Sequence, residues 1–73
     1  MKSMSLAEVR KYSGQPPMTY AEASRIVGNQ PTTCIANMAI ALSLHTWSNT
    51  QDDWRRLEAA IIVRNRRSRQ ERH

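Results

Sequence analysis

Residues 18–42 read MTYAEASRIVGNQPTTCIANMAIAL, and this stretch contains the signals that decide the fold. Thr19 and Glu22 have the spacing of a capping box, in which a hydroxyl and a carboxylate satisfy the free N–H groups of a first helical turn. Apolar residues follow at helical spacing, and Gly28 is the residue expected just past a helix C-terminus. The stretch therefore begins with a predicted helix over about 19–27.

The second half of the stretch predicts another helix. Pro31 suits a first helical position, because its missing N–H would be unpaired there and its φ is already helical. Apolar side chains then cover more than one face of the segment. We therefore expect a central, largely buried helix over about 31–46, which ends at the polar residues 48–50.

A third helix is predicted over about 50–66. Thr50 and the two aspartates at 52–53 are typical of a helix start, where acids stabilise the positive end of the helix dipole. Trp47 and Trp54 flank the preceding connection, and we expect them to close the core there. The predicted core contains apolar residues of all three helices: Ile26, Val27, Ile35, Met38, Leu42, Trp54, Leu57 and Ile61.

The segment before these helices has weaker signals. Ser5 and Glu8 repeat the capping-box spacing, but the prolines at 16–17 stop any helix that begins there. One or two helical turns near 6–12 would be marginal in water without a surface to pack on. We therefore assign residues 1–17 to a flexible N-terminal arm.

The charge of the chain is concentrated at its C-terminal end. The 73 residues have a formal net charge of +5, and residues 64–73 contain five arginines and one glutamate. A basic chain favours an acidic partner such as nucleic acid or an acidic protein surface. We predict an all-α, three-helix mini-domain of one helical core (18–66), followed by a basic tail (67–73).

Residues with catalytic or metal-binding chemistry are sparse. Cys34 is the single cysteine and is expected to be a small, buried apolar residue. His45 lies eleven residues further along the predicted second helix, about 16 Å away, so the two side chains cannot share a metal ion or act as a nucleophilic pair. We therefore predict no catalytic, cofactor or metal site, and a protein that is not an enzyme.

Membrane and export signals are also weak. The N-terminus has no continuous apolar region of the kind that a secretory signal requires. The apolar centre at 34–44 contains eleven residues, against the roughly 20 of a membrane-spanning helix. We expect a cytoplasmic, monomeric protein that does not contact a membrane.

Two groups of residues are candidate contacts for a partner. The N-terminal arm combines apolar side chains with cations, which is typical of a segment that orders when it docks on a protein. The arm residues are Lys2, Leu6, Val9, Arg10, Lys11 and Tyr12. The tail offers cations that suit phosphate groups, namely Arg64, Arg66, Arg67 and Arg69, although a solvated helix end would have the same composition.

Residues 18–42 resemble a helix-turn-helix unit, with a short helix, a glycine turn and a helix begun by proline. The resemblance implies a DNA-binding repressor as one possible function. A DNA-reading helix normally offers Arg, Lys, Asn or Gln to base edges. Here the second helix presents Thr32, Thr33 and Asn37 near its start and has no positive charge. The helix-turn-helix shape can therefore be kept while the unit no longer reads DNA and contacts a protein partner instead.

The whole chain also resembles small RNA-polymerase-binding proteins of bacteriophages, of a kind found in a Xanthomonas phage. The resemblance rests on the chain's length, its basicity, its helical core and its two ends, MKSMSLAEVR and RNRRSRQERH. It implies a non-enzymatic regulator in the host bacterial cell that inhibits transcription initiation and promotes antitermination. The implied partner is the large β′ subunit of the host polymerase, contacted through the N-terminal arm and the nearby core.

Overall fold

The computed structural model describes residues 3–44 and 46–71, and this part of the chain is helical without strands. The elements in chain order are α1 (Leu6–Ser13), α2 (Tyr20–Val27), α3 (Thr32–Leu44), one 3₁₀ turn (Thr46–Ser48) and α4 (Gln51–Glu71). The predicted all-α class is confirmed, and the three main predicted helices are α2, α3 and α4. Among the described residues, none of the helices combines the length and the apolar character that crossing a membrane demands.

Reciprocal capping boxes begin the first and the last helix. At α1, the Ser5 hydroxyl accepts a hydrogen bond from the Glu8 backbone N–H, and the Glu8 carboxylate accepts one from the Ser5 N–H. Thr50 and Asp53 exchange the same two bonds at α4. Four N–H groups that a free helix end would leave unpaired are thereby satisfied by local residues.

The α2–turn–α3 unit has the predicted helix-turn-helix order. The Thr19 hydroxyl caps α2 by accepting from the Glu22 N–H, and Gly28 ends the helix with a φ of 72°. Pro31 lies one position earlier than predicted, because its carbonyl accepts the first helical bond of α3 from the Ile35 N–H. Both helices pack mainly on α4 rather than on each other.

Helix α4 is the centre of the fold, where α3 was predicted to be. Helices α1, α2 and α3 all pack against it, and the five consecutive residues 57–61 are completely buried. Five residues span more than one full turn, so α4 is covered on every side at this level. The distribution of charge explains why the sequence predicted α3 to be central. Helix α3 is uncharged throughout, yet it leaves one face exposed, whereas the arginines of α4 lie toward its two ends and leave its middle free to be buried.

The predicted core residues all belong to the observed core, though to different degrees. Four are fully or almost fully buried (Val27, Ile35, Leu57 and Ile61), and four are partly buried against them (Ile26, Met38, Leu42 and Trp54). The structure adds Val9, Met18, Val63 and the small residues Ala23, Ala39, Ala59 and Ala60. Alanines where helices meet allow the backbones to approach closely, so they bury completely despite their weak hydrophobic signal.

Two single residues differ from their predicted environment. Cys34 is exposed rather than buried, because it lies on the face of α3 that points away from α4. Trp54 packs against the core as predicted, whereas Trp47 is 84% exposed in the 3₁₀ turn and does not close the core. His45 lies outside the described residues.

Helical structure extends further toward each end of the described chain than predicted. Residues 6–13, assigned to the arm, form α1 and bury Val9 completely against the core. Helix α4 continues five residues beyond the predicted end at 66. Arginine and glutamine are good helix formers, and cations near a helix C-terminus are favoured by its dipole, so the basic tail extends the helix.

Candidate functional site

A groove lies where α1, the start of α2 and the C-terminal half of α4 meet, and we call it the α1–α4 groove. Four of its lining residues are apolar or aromatic, and we call this part of the lining the floor: Leu6, Met18, Tyr20 and Ile62. Its polar lining consists of Arg10, Asn65, Arg66 and Arg69. Among the described residues that line it, three are cations and none is acidic, so the groove combines apolar surface with a concentrated positive charge.

The packing of α1 along α4 creates this groove. The Arg64 guanidinium donates to the Ser3 hydroxyl, and near the other end of α1 the Gln51 side chain donates to the Ser13 carbonyl over 3.3 Å. The Met4 N–H donates to the Ser43 hydroxyl over 2.9 Å, which ties the segment before α1 to α3. These contacts place α1 antiparallel to α4 and bring the first described residues next to the C-terminal half of α4.

Glu58 is a fully buried carboxylate at the point where α1 and α4 meet. Its Oε2 atom accepts a hydrogen bond from the Met18 backbone N–H over 3.1 Å and contacts Nε of Arg10 at 3.4 Å. Its Oε1 atom is buried without a hydrogen-bond partner among the described residues. Burying a charge is costly unless it is paired, so this carboxylate holds Arg10 and the Met18 backbone, two residues before α2, in place.

Arg66 and Arg69 form the other side of the groove. The Arg66 guanidinium carbon lies 4.7 Å from the centroid of the Tyr20 ring, which is a cation–π contact. Neither arginine forms an ion pair with a carboxylate among the side chains that the structure describes. Both are exposed, so their charges are available to a partner.

The predicted arm residues do not act together on one surface. Leu6 and Arg10 line the groove, whereas Val9 is inside the core. Tyr12 is 64% exposed, and its ring stacks on Trp54 with 6.1 Å between the ring centroids, outside the groove lining. Lys11 is exposed elsewhere on α1, and Lys2 lies outside the described residues. Partner binding by these residues stays a prediction, but Val9 cannot be an exposed anchor in this fold.

The four predicted phosphate contacts divide into two pairs. Arg64 and Arg67 are bound within the molecule: Arg64 contacts Ser3, and Arg67 donates to the Gln30 carbonyl over 2.5 Å. Arg66 and Arg69 line the groove. Arg67 thus connects α4 to the α2–α3 turn, and the cations that face the groove are fewer than the sequence composition suggests.

The exposed face of α3 is chemically different from the groove. It presents Thr33, Cys34, Asn37, Ala41 and Leu44, and residues 27–51 contain no charged side chain. DNA-reading helices combine base contacts with cations that grip the phosphates nearby. The helix-turn-helix order is therefore present without the chemistry of a DNA-reading face.

Five residues of this site were not predicted from the sequence: Met18, Tyr20, Glu58, Ile62 and Asn65. Glu58 had a detectable signal, because it lies four residues after Trp54 and three before Ile61, on the predicted core face of its helix. A carboxylate at such a position needs a partner. That the partner is Arg10 depends on the packing of α1, which no local pattern specifies.

Comparisons of the chain with protein-family models, with curated proteins and with solved structures give no match.

Proposed function

We propose that this chain is a non-enzymatic transcription regulator that binds bacterial host RNA polymerase, inhibits initiation and promotes antitermination. The whole-chain resemblance to polymerase-binding phage proteins suggests this role, with the β′ subunit as the partner and the host cytoplasm as the location. The observation that carries the proposal is the α1–α4 groove, where three arginines surround an apolar floor. Such a surface suits an acidic protein region better than a duplex.

The alternative is a helix-turn-helix repressor that binds duplex DNA. It draws support from the order of α2, the turn and α3. The uncharged exposed face of α3 weighs against it, since phosphate contacts supply much of the affinity of DNA-binding proteins. We expect the protein to act as a monomer, with any nucleic-acid contact made by the arginines of α4.

A pull-down from bacterial lysate tests the proposal. The full chain carries an affinity tag on a flexible linker, and each lysate is divided into a nuclease-treated and an untreated portion. We expect polymerase subunits to be retained equally from both portions. Recovery that disappears with nuclease would replace the proposal with nucleic-acid binding, and no recovery from either portion would refute it.

Purified polymerase then tests the regulatory part. We expect the chain to lower single-round transcript yield when it is added before promoter binding. When it is added to elongating complexes, we expect more transcripts to pass an intrinsic terminator. Binding without either effect would mean that the chain binds the polymerase but does not regulate transcription, and it would refute the proposed regulatory role.

A further inference from the structure

The α1–α4 groove has features that specify the chemistry of its occupant. Arg10, Arg66 and Arg69 line it, and no acidic side chain does so among the described residues. The contact of Arg10 with Glu58 uses the Nε atom, so its two terminal nitrogens are not consumed by that ion pair. Three guanidinium groups around one depression attract carboxylates or phosphates, because each offers several N–H donors.

The floor of the groove distinguishes between these two anions. Proteins that bind single-stranded nucleic acid stack successive bases on aromatic rings. Tyr20 is the one aromatic side chain among the described lining residues, and Arg66 covers one face of its ring. The remaining floor, Leu6, Met18 and Ile62, is aliphatic. This combination suits an apolar side chain flanked by carboxylates better than a run of bases.

We infer that the α1–α4 groove binds an acidic segment of a partner protein, whose apolar side chain contacts the floor while its carboxylates contact Arg10, Arg66 and Arg69. This inference rests on the proposed function and names the surface and the chemistry that would make the contact. Glu58 has a positioning role in it, because its buried carboxylate holds Arg10 at the groove.

The test compares three labelled polyanions as probes of the full chain: a random glutamate–tyrosine copolymer, polyglutamate of matched length, and oligouridylate of matched charge. Binding is followed by fluorescence anisotropy at two salt concentrations. We expect the copolymer to bind most tightly, because its tyrosines add apolar contact to the charge attraction. Equal binding of copolymer and polyglutamate would refute the apolar contact. Tighter binding of oligouridylate would make the groove a nucleic-acid site.

A matched pair of double variants locates the binding. Arg66→Gln with Arg69→Gln changes the groove, whereas Arg25→Gln with Arg56→Gln changes two exposed cations outside it. Each pair lowers the formal net charge from +5 to +3. We expect the groove pair to weaken copolymer binding roughly fivefold or more and the control pair about twofold or less. An equal loss in both would mean that net charge alone drives binding.

The same variants separate this inference from the proposed function. Polymerase retention that is lost in the groove pair and kept in the control pair supports both. Retention that is equal in wild type and both pairs would keep the polymerase proposal and refute the groove. Groove-specific copolymer binding without polymerase retention would keep the groove and refute the proposed function. Circular dichroism and urea unfolding verify that each variant is folded.

Discussion

The N-terminal segment and the C-terminal part of α4 are both cationic, but only the N-terminal segment also contains apolar residues. Residues 1–12 combine three cations with side chains such as Leu6 and Val9, whereas residues 64–73 contain five arginines and no apolar side chain. Helix α1 buries Val9 completely, whereas the part of α4 past Val63 has no fully buried residue among those described. The N-terminal segment therefore belongs to the core and contributes Arg10 to the groove. The C-terminal segment contributes charge. Apolar residues on one face of a helix, here Leu6 and Val9 of α1, distinguish an element of the core from a charged surface.

The largest expected effect compares one residue from each end. Val9→Ala removes two buried methyl groups and leaves a cavity, so we expect the free energy of unfolding to fall by about 2–3 kcal/mol. Arg69→Ala at the exposed end should change it by less than about 0.5 kcal/mol. Urea denaturation of both variants measures the difference. Equal, small effects would mean that α1 does not pack on α4 in solution.

The next effect concerns the contact that joins α1 to α4. Glu58→Gln keeps an oxygen for the Met18 N–H but removes the charge beside Arg10, and we expect a loss of about 2 kcal/mol. A double-mutant cycle with Arg10→Gln isolates the pair, and the coupling should exceed about 0.5 kcal/mol. Additive effects of the two substitutions would show that Arg10 and Glu58 do not interact.

Capping of the N-terminal helix gives a smaller effect. Ser5→Ala removes the hydroxyl that accepts from the Glu8 N–H, and we expect a loss of about 1 kcal/mol. Because α1 is only eight residues long, it depends on this cap and on tertiary contacts. The matched control is Ser68→Ala near the exposed end of α4, which should be nearly neutral. If Ser5→Ala does not change the free energy of unfolding, the cap does not contribute and α1 is stabilised by its tertiary packing alone.

The smallest effect divides the arginines of α4. Arg67 donates to the Gln30 carbonyl and lies near the Thr32 hydroxyl, so Arg67→Ala should cost about 1 kcal/mol. Arg66→Ala, which removes a partly solvated cation–π contact with Tyr20, should cost about 0.5 kcal/mol. Thermal unfolding of the two variants gives the order. The reverse order would mean that Arg67 is solvated rather than bound to the turn.

Binding by the N-terminal segment is best tested by substitution rather than by deletion. Deletion of residues 1–12 removes Val9 from the core and Arg10 from Glu58, so it would unfold the domain as well as remove a contact surface. Substitution at exposed positions keeps the fold. Lys11→Gln therefore tests a predicted arm contact without disturbing the packed face of α1. Tyr12→Ala also removes the ring contact with Trp54, so its binding is compared after urea unfolding has verified the fold.

The local signals in the sequence determined where the helices begin and where α2 ends, but not where α4 ends. Hydroxyl and acid pairs at Ser5, Thr19 and Thr50, together with Gly28, mark the boundaries within a residue or two because they satisfy or release backbone groups of their own segment. The apolar spacing of residues such as Leu57 placed them in the core. Each of these signals acts over a few residues, so it is readable without the fold.

Only the tertiary structure decided which helix is central and which side chains meet. Helix α4 is surrounded because small residues such as Ala59 and Ala60 allow three helices to approach it closely. Hydropathy does not predict this close approach, because alanine is only weakly hydrophobic. Glu58 and Arg10 are 48 positions apart in the sequence, and Tyr20 and Arg66 meet across another long separation. Contacts of this kind depend on how whole helices dock, which is a sum over many weak packing interactions and belongs to no single segment.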